Sequence, residues 1–337
     1  MKERLKRLLP KVVFPIFYVF CLVVFSVMTF PYDRLKERIV TQFNQQQQRS
    51  SAPQELSIDE LDSWWITGVR AKGVRLTTPS PEPDKPPIRL EIDEAKARIS
   101  ILPLLVGKRA VSYNLSLADG TVSGSYEESG KDRAVEVVFD GVDVGRVGPV
   151  TAQLGVPLDG KIHGSIKLQL PEGKASKGTG AINLDIRDMA VGDGKAKIKN
   201  MLALPKLQLG TIALVAEAKD GTLKVSKLGA SGKDVDLNGE GRIQMKELAT
   251  EALLEMSIKF KIGDAYRKKN EQTKMIFGEP GSKIPPLFDS VSQMKPGLDG
   301  YYAFNLRGTL GNPKTSSQNP TSSFGAPRFG GGGSGGL

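Results

Sequence analysis

Residues 254–262 read LEMSIKFKI. Leu254, Met256, Ile258, Phe260 and Ile262 alternate with Glu255, Ser257, Lys259 and Lys261. Successive side chains on a strand point to opposite faces, so a period of two means a strand with one apolar and one wet face. The same period recurs upstream at Val74/Leu76, Ile88/Leu90/Ile92, Val135/Val137/Phe139, Ile166/Leu168/Leu170 and Ile182/Leu184/Ile186. No long helical pattern separates these runs. Parallel βαβ units are therefore excluded, and consecutive strands are expected to pair antiparallel. The fold class is mainly β, a large, twisted, mostly antiparallel sheet. Its apolar face is read as Ile166, Leu168, Ile182, Leu184, Ile243, Met245, Leu254, Met256, Ile258 and Phe260. A closed sheet would make these an ordinary core. An open one would make them a groove that needs lipid or a partner to cover it.

The 37 glycines and 21 prolines favour many turns. Asp-Gly or Asn-Gly occurs at 119–120, 140–141, 159–160, 193–194, 220–221, 238–239 and 299–300. These pairs tolerate positive φ and are read as tight turns. A degenerate repeat, Gly-x-Ile-x-apolar, starts at Gly164, Gly180, Gly210 and Gly241, and each copy is read as a strand opening after a turn. Two pieces interrupt the strands. Residues 101–106, ILPLLV, suit a compact loop or one helical turn. Residues 264–277 suit one helix with Asp264 as N-cap and Gly278 just past its end. Residues 281–296 read as irregular, and Tyr302/Phe304/Leu306 as the last strand. From Lys314 the chain is Ser-, Asn-, Pro- and Gly-rich and is expected to be disordered.

The N-terminus follows a different pattern. Residues 12–30, VVFPIFYVFCLVVFSVMTF, contain no charge. About 20 such residues cross the ~30 Å hydrocarbon core as a helix. Val12, Phe14, Phe17, Phe20, Val24, Phe25 and Phe30 are the candidate anchor residues. A cleaved signal peptide would have a shorter apolar region and a small-x-small site; Ser26-Val27-Met28-Thr29-Phe30 offers none. The segment reads as an uncleaved anchor. Lys2, Arg4, Lys6, Arg7 and Lys11 precede it, against Glu3 alone. Positive charge beside a first membrane helix stays in the cytoplasm. This places the bulk of the chain outside, in the periplasm of a two-membrane bacterium. After the anchor, Leu35, Ile39, Val40 and Phe43 form one apolar stripe, so 33–49 is read as a helical extension, with a polar linker over 45–53. The organisation is thus a cytoplasmic segment 1–11, a transmembrane helix 12–32, an extension and linker 33–55, a β domain 56–313 and a tail 314–337.

Charge and chemistry exclude several classes. The net charge is +10, but Lys and Arg are interleaved with Asp and Glu, and aromatics are only 7%, so nucleic-acid binding is not expected. Cys21 is the single cysteine, which rules out an internal disulfide or a multi-cysteine zinc site. His163 is the single histidine and reads as a solvent-facing strand residue. The glycine-rich stretch 173–180 lacks the Gly-x4-Gly-Lys-Ser/Thr order of a phosphate loop. No catalytic, metal or cofactor residue is nominated, and no enzyme is expected. Trp64-Trp65 is the only tryptophan pair; it reads as core, with packing at a membrane surface as the functional alternative.

Residues 65–76, WITGVRAKGVRL, followed by 101–107, ILPLLVG, resemble the N-terminal strands of AsmA-like proteins. Residues 204–210, LPKLQLG, then 219–223, KDGTL, then 232–241, GKDVDLNGEG, resemble the type II secretion system protein N family, and 302–310, YAFNLRGTL, resembles that family's end. The resemblance covers about residues 1–313, through mostly glycine and apolar positions. It implies a single-pass inner-membrane protein with a curved, half-open periplasmic β domain and one or two short helices. The implied role is an accessory subunit of type II protein secretion, with other secretion subunits as partners. The AsmA-like likeness implies an alternative, a lipid-handling protein that holds phospholipid acyl chains in an apolar groove.

Overall fold

The structure is a computed structural model that describes residues 2–47, 53–79, 87–154, 156–194, 197–198, 202–203, 205–279 and 286–317. The chain divides into two compact units, residues 1–174 with 180–187, and residues 175–179 with 188–337.

In the first unit, α1 (Lys2–Thr29) and α2 (Tyr32–Gln47) precede β1 (Glu55–Trp64), β2 (Gly68–Thr78) and β3 (Ile88–Ile99). Then follow α3 (Ile101–Leu105), β4 (Lys108–Leu117), β5 (Gly120–Ser129), β6 (Asp132–Asp143), α4 (Gly148–Leu154), β7 (Leu158–Leu170) and most of β8 (Thr179–Val191). The second unit holds β9 (Lys197–Ile198), β10 (Leu202–Ala203), β11 (Leu207–Lys219), β12 (Thr222–Ser231), β13 (Val235–Gln244) and β14 (Leu253–Ile262). It continues through α5 (Asp264–Arg267), α6 (Glu271–Phe277), α7 (Leu287–Ser292), β15 (Tyr302–Thr309) and β16 (Asn312–Ser317). Fourteen strands form one antiparallel sheet in chain order, from β1 to β16, with the β9–β10 pair set apart. The chain is mostly β, and the helices after α2 are short.

Every alternating run quoted above lies in a strand. In the first unit the register lines up one apolar face: Leu56 opposite Leu76, Leu76 opposite Leu90, Leu115 opposite Val122, Val122 opposite Phe139, and Val137 opposite Ile166. Fully buried residues of this unit include the clusters Leu61/Ala71/Val74 and Leu117/Val122/Val142, with Val144, Val156 and Leu158 buried as well. The wet face carries opposite charges on directly facing residues: Lys72 with Glu60 at 3.0 Å and Lys167 with Glu136 at 2.7 Å. In the second unit Arg242 meets Glu255 in the same way at 2.6 Å. Cross-strand pairs of this kind favour one register.

The turn readings divide. Asp119-Gly120 and Asp220-Gly221 do turn hairpins, with φ of 59° at Asp119 and 47° at Asp220. Asp140-Gly141 is instead a bulge inside β6, where the register to β7 shifts. Asp159-Gly160 and Asn238-Gly239 lie inside β7 and β13, Asp193-Gly194 follows β8, and Asp299-Gly300 precedes β15. Tolerance of positive φ serves a bulge as well as a hairpin. The Gly-x-Ile repeat follows its reading in part. Gly180 opens β8 just after the turn at Ala175–Lys177, but Gly164, Gly210 and Gly241 sit inside β7, β11 and β13. The reason is close backbone approach. A Cβ on Gly241 would lie 2.2 Å from the Glu255 carbonyl oxygen, and one on Gly164 2.1 Å from that of Asn183.

Residues 264–277 form two helices rather than one. Asn270 breaks the run and caps α6: its side chain accepts from the Thr273 N–H at 2.8 Å, and Thr273 Oγ1 accepts from the Asn270 N–H at 3.1 Å. The first of the two is capped by Gly263, not Asp264. Leu287–Ser292, read as irregular, is helical. The chain beyond Lys314 is not all tail, because Asn312–Ser317 pairs with β15 from Thr309 to Phe304. All six of its residues are exposed, so it has no apolar alternation to read. Residues 318–337 of the expected tail, and 48–52 of the expected linker, lie outside the described residues.

The glycine geometry makes a testable contrast. Gly241→Ala should cost about 1–3 kcal/mol through overpacking. Gly229→Ala, whose nearest would-be neighbour is 3.6 Å away, should stay within about 0.5 kcal/mol. Thermal melts of the full chain in detergent read both.

Candidate functional site

The residues nominated from sequence fall into three groups. Phe14, Phe17, Phe20, Phe25 and Phe30 lie exposed on or just after α1, Val24 is half-buried, and Val12 lies within the helix. Val13, Tyr18, Val19, Leu22 and Met28 are exposed as well. The apolar surface therefore runs right round the helix and meets almost no protein. Such a helix is found where something apolar surrounds it. Lys2, Arg4, Lys6, Arg7 and Lys11 lie in α1 ahead of this stretch. No single helix among the described residues is long and apolar enough to cross a membrane. Val13–Met28 and Tyr32–Gln47, bent by 59° at the break, pass only as a pair.

The second group is the sheet face of the first unit. Ile166 and Leu168 on β7, and Ile182 and Leu184 on β8, are all half-buried, while Lys167, Gln169, Asn183 and Asp185 between them are exposed. The apolar face is thus real but only partly covered.

The third group is the sheet face of the second unit. Ile243 lies opposite Leu254, Gly241 opposite Met256, and Ile258 opposite Phe304. Leu254 and Met256 are buried; Ile243, Met245, Ile258 and Phe260 are half-buried. One end of this face is closed by aromatic side chains, of which the alternating pattern singled out Phe260 and Tyr302 but not Tyr266, Phe277 or Phe288. Phe260 stacks on Tyr302 at 5.3 Å, Phe288 meets Tyr302 edge-on at 5.1 Å, and Phe277 and Tyr266 continue the chain of contacts at 5.4 and 5.8 Å. Edge-to-face and offset pairs of this kind add about 0.5–1.5 kcal/mol each beyond area burial. The Tyr302 hydroxyl donates to Asp289 at 2.8 Å and that of Tyr266 to the Pro205 carbonyl at 2.6 Å. Burial pushes both phenols above the usual 10.0, Tyr302 further through its bond to Asp289. Tyr266, Phe277 and Phe288 come from three short consecutive helices between β14 and β15, and no alternating or heptad pattern announces their shared contact.

Groups with catalytic potential remain ordinary. His163 Nδ1 lies 3.1 Å from Asp140 Oδ1 on the wet face. A cavity of about 430 Å³ in the first unit is lined by Trp64, Tyr113, Gly124, Glu136 and neighbouring serines. Its one carboxylate, Glu136, is held by Lys167 at 2.7 Å. No cluster of three or more His, Cys, Asp or Glu able to hold a metal occurs among the described residues. The tryptophans part company. Trp64 is half-buried, but Trp65 is 72% exposed at the β1–β2 turn with φ 58°, so the core reading fails for it. A residue at a hairpin tip has no sheet face to pack on.

Two outcomes check these assignments. Ile166→Asp should lose about 2 kcal/mol or more, because it puts an unpaired charge on the apolar face. Gln169→Asp on the same strand should be nearly neutral; equal effects in denaturation curves would contradict the face assignment. Tyr302→Phe should cost about 1–3 kcal/mol by leaving Asp289 unpaired. Because the folded phenols hold their protons more tightly than the unfolded ones, their contribution is full below pH 10.0 and is lost as pH rises through the raised folded values. Alkaline melts of Tyr302→Phe should therefore fall less steeply than those of the parent chain.

No family of known proteins, no curated protein and no solved structure matches this chain.

Proposed function

We propose that this chain is a single-pass inner-membrane protein, with its N-terminus in the cytoplasm and its β units in the periplasm. Its role is that of an accessory, non-catalytic subunit of type II protein secretion. The observation that carries the membrane part is the uncharged stretch Val13–Met28 of α1, most of whose apolar side chains are exposed. The basic residues ahead of it support the orientation. The secretion role is supported by the likeness of residues 204–210, 219–223, 232–241 and 302–310 to the protein N family, on a chain that is mostly antiparallel sheet. The partners in this reading are other secretion subunits and the membrane itself.

The half-buried apolar faces favour a second reading. In it the sheet is curved and half-open in the AsmA-like manner, and the half-covered residues around Ile166, Leu168, Ile182 and Leu184 hold phospholipid acyl chains. A face with few fully buried residues has room for such a cover.

One purification separates these readings. The full chain, extracted from its own membranes in mild detergent, is analysed for co-purifying proteins and for bound lipid. Secretion subunits at stoichiometric yield are the expected result. Their absence, with phospholipid retained through a detergent wash, would transfer the assignment to lipid handling. N-terminal sequencing of the same sample should give the intact start; a mature start between Thr29 and Arg34 would overturn the anchor.

A further inference from the structure

The β1–β2 tip and α3 leave a concentrated apolar surface in the first unit. Trp65 is 72% exposed, Leu102 79%, Leu105 77% and Val106 70%, with Ile66 and Leu104 also exposed. The two segments are joined: Thr67 Oγ1 donates to the Ile99 carbonyl at 2.8 Å, and the Ile99 N–H donates to the Thr67 carbonyl at 3.2 Å. Exposed Arg98, Lys108 and Arg109 flank the patch, Arg109 facing Glu128 at 3.8 Å.

The direction of α2 tells which way this patch faces. Asn44 bonds both the N–H and the carbonyl of Leu56, at 2.8 and 3.2 Å, and Lys36 Nζ donates to the Asp59 carbonyl at 3.0 Å. Leu35 packs on the cluster that includes Leu61. Moving backward along α2 therefore means moving forward along β1. The start of α2, and with it the end of α1 at Thr29, lies toward the end of β1 where Trp65 turns. The apolar helix leaves the unit at the end that carries the exposed patch.

We propose that Trp65, Ile66 and α3 dip into the surface of the same bilayer that holds α1, as a second membrane contact. The proposal rests on the anchor reading of α1. Apolar side chains with an indole at their edge suit the headgroup and acyl boundary, and flanking Arg and Lys suit anionic headgroups. A patch this apolar in a single copy otherwise needs a partner. The bilayer is already at hand on that end. This second contact would fix the tilt of the first unit against the membrane, which a single anchoring helix does not.

The chain contains only two tryptophans and one cysteine, and these report the two contacts separately. The full chain with Trp64→Phe is reconstituted into liposomes of phosphatidylethanolamine and phosphatidylglycerol, with or without bromine on the acyl chains. Trp65 emission should fall by at least half in the brominated vesicles. Adding Leu102→Asp with Leu105→Asp should restore it. The unmodified chain, read with both indoles, gives the same comparison if Trp64→Phe does not fold. Cys21, in the same vesicles, is treated with a charged maleimide before and after SDS. Protection until SDS with strong quenching supports both contacts. Protection without quenching overturns the docking of the patch and leaves the anchor standing. Labelling without quenching overturns both. Quenching that survives the two Asp substitutions also overturns the proposal, since α3 then takes no part.

Discussion

A sheet in which each strand bonds its neighbours leaves two demands unmet: its outer edges and its apolar face. Antiparallel pairing satisfies the backbone of the inner strands completely, but it does nothing for either demand. The rest of this structure answers them. At the first edge, α2 lies along β1, and Asn44 takes both backbone groups of Leu56 that would otherwise offer themselves to another strand. At the other edge, β16 carries Pro313 and Lys314 among six exposed residues, a combination that discourages further pairing.

The apolar face is answered unevenly. In the second unit, three short helices bring Tyr266, Phe277 and Phe288 over Phe260 and Tyr302, and the result is a dry aromatic core at one end. In the first unit, Leu35 of α2 covers the beginning of the face and Val147 contributes near β6. Beyond these, the face stays half-covered at Ile166 and Leu168 of β7 and at Ile182 and Leu184 of β8. The same side chains that define the strands are thus the ones left wanting a cover, which is why fold and proposed role converge on them.

The strands were legible because period two is a property of neighbouring residues. Leu254 to Ile262 needs no distant partner to declare its two faces. Turn identity was less legible, since Asp-Gly permits positive φ without saying whether a hairpin or a bulge uses it, as Asp220 and Asp140 show. The helix break at Asn270 turns on a reciprocal cap with Thr273, and Asp264 looked the better N-cap by residue type alone. β16 had no apolar pattern to offer, because its pairing rests on backbone bonds. As for the candidate site, the anchor and the sheet faces could be read from composition and period. The aromatic closure and the Trp65–α3 patch could not, because each joins segments whose proximity only the register reveals.

The order of the strands has a kinetic meaning. Almost every strand of the large sheet lies beside its predecessor in the chain. Most neighbouring strands, β14 with β15 being the longest exception, are joined by short loops, and short loops close quickly. A chain that emerges gradually, N-terminus first, can add each strand to an edge already formed instead of waiting for a distant partner. The growing edge is exposed at every stage until Pro313 and Lys314 arrive, so the strand that is added last to the sheet is also the one that ends the templating.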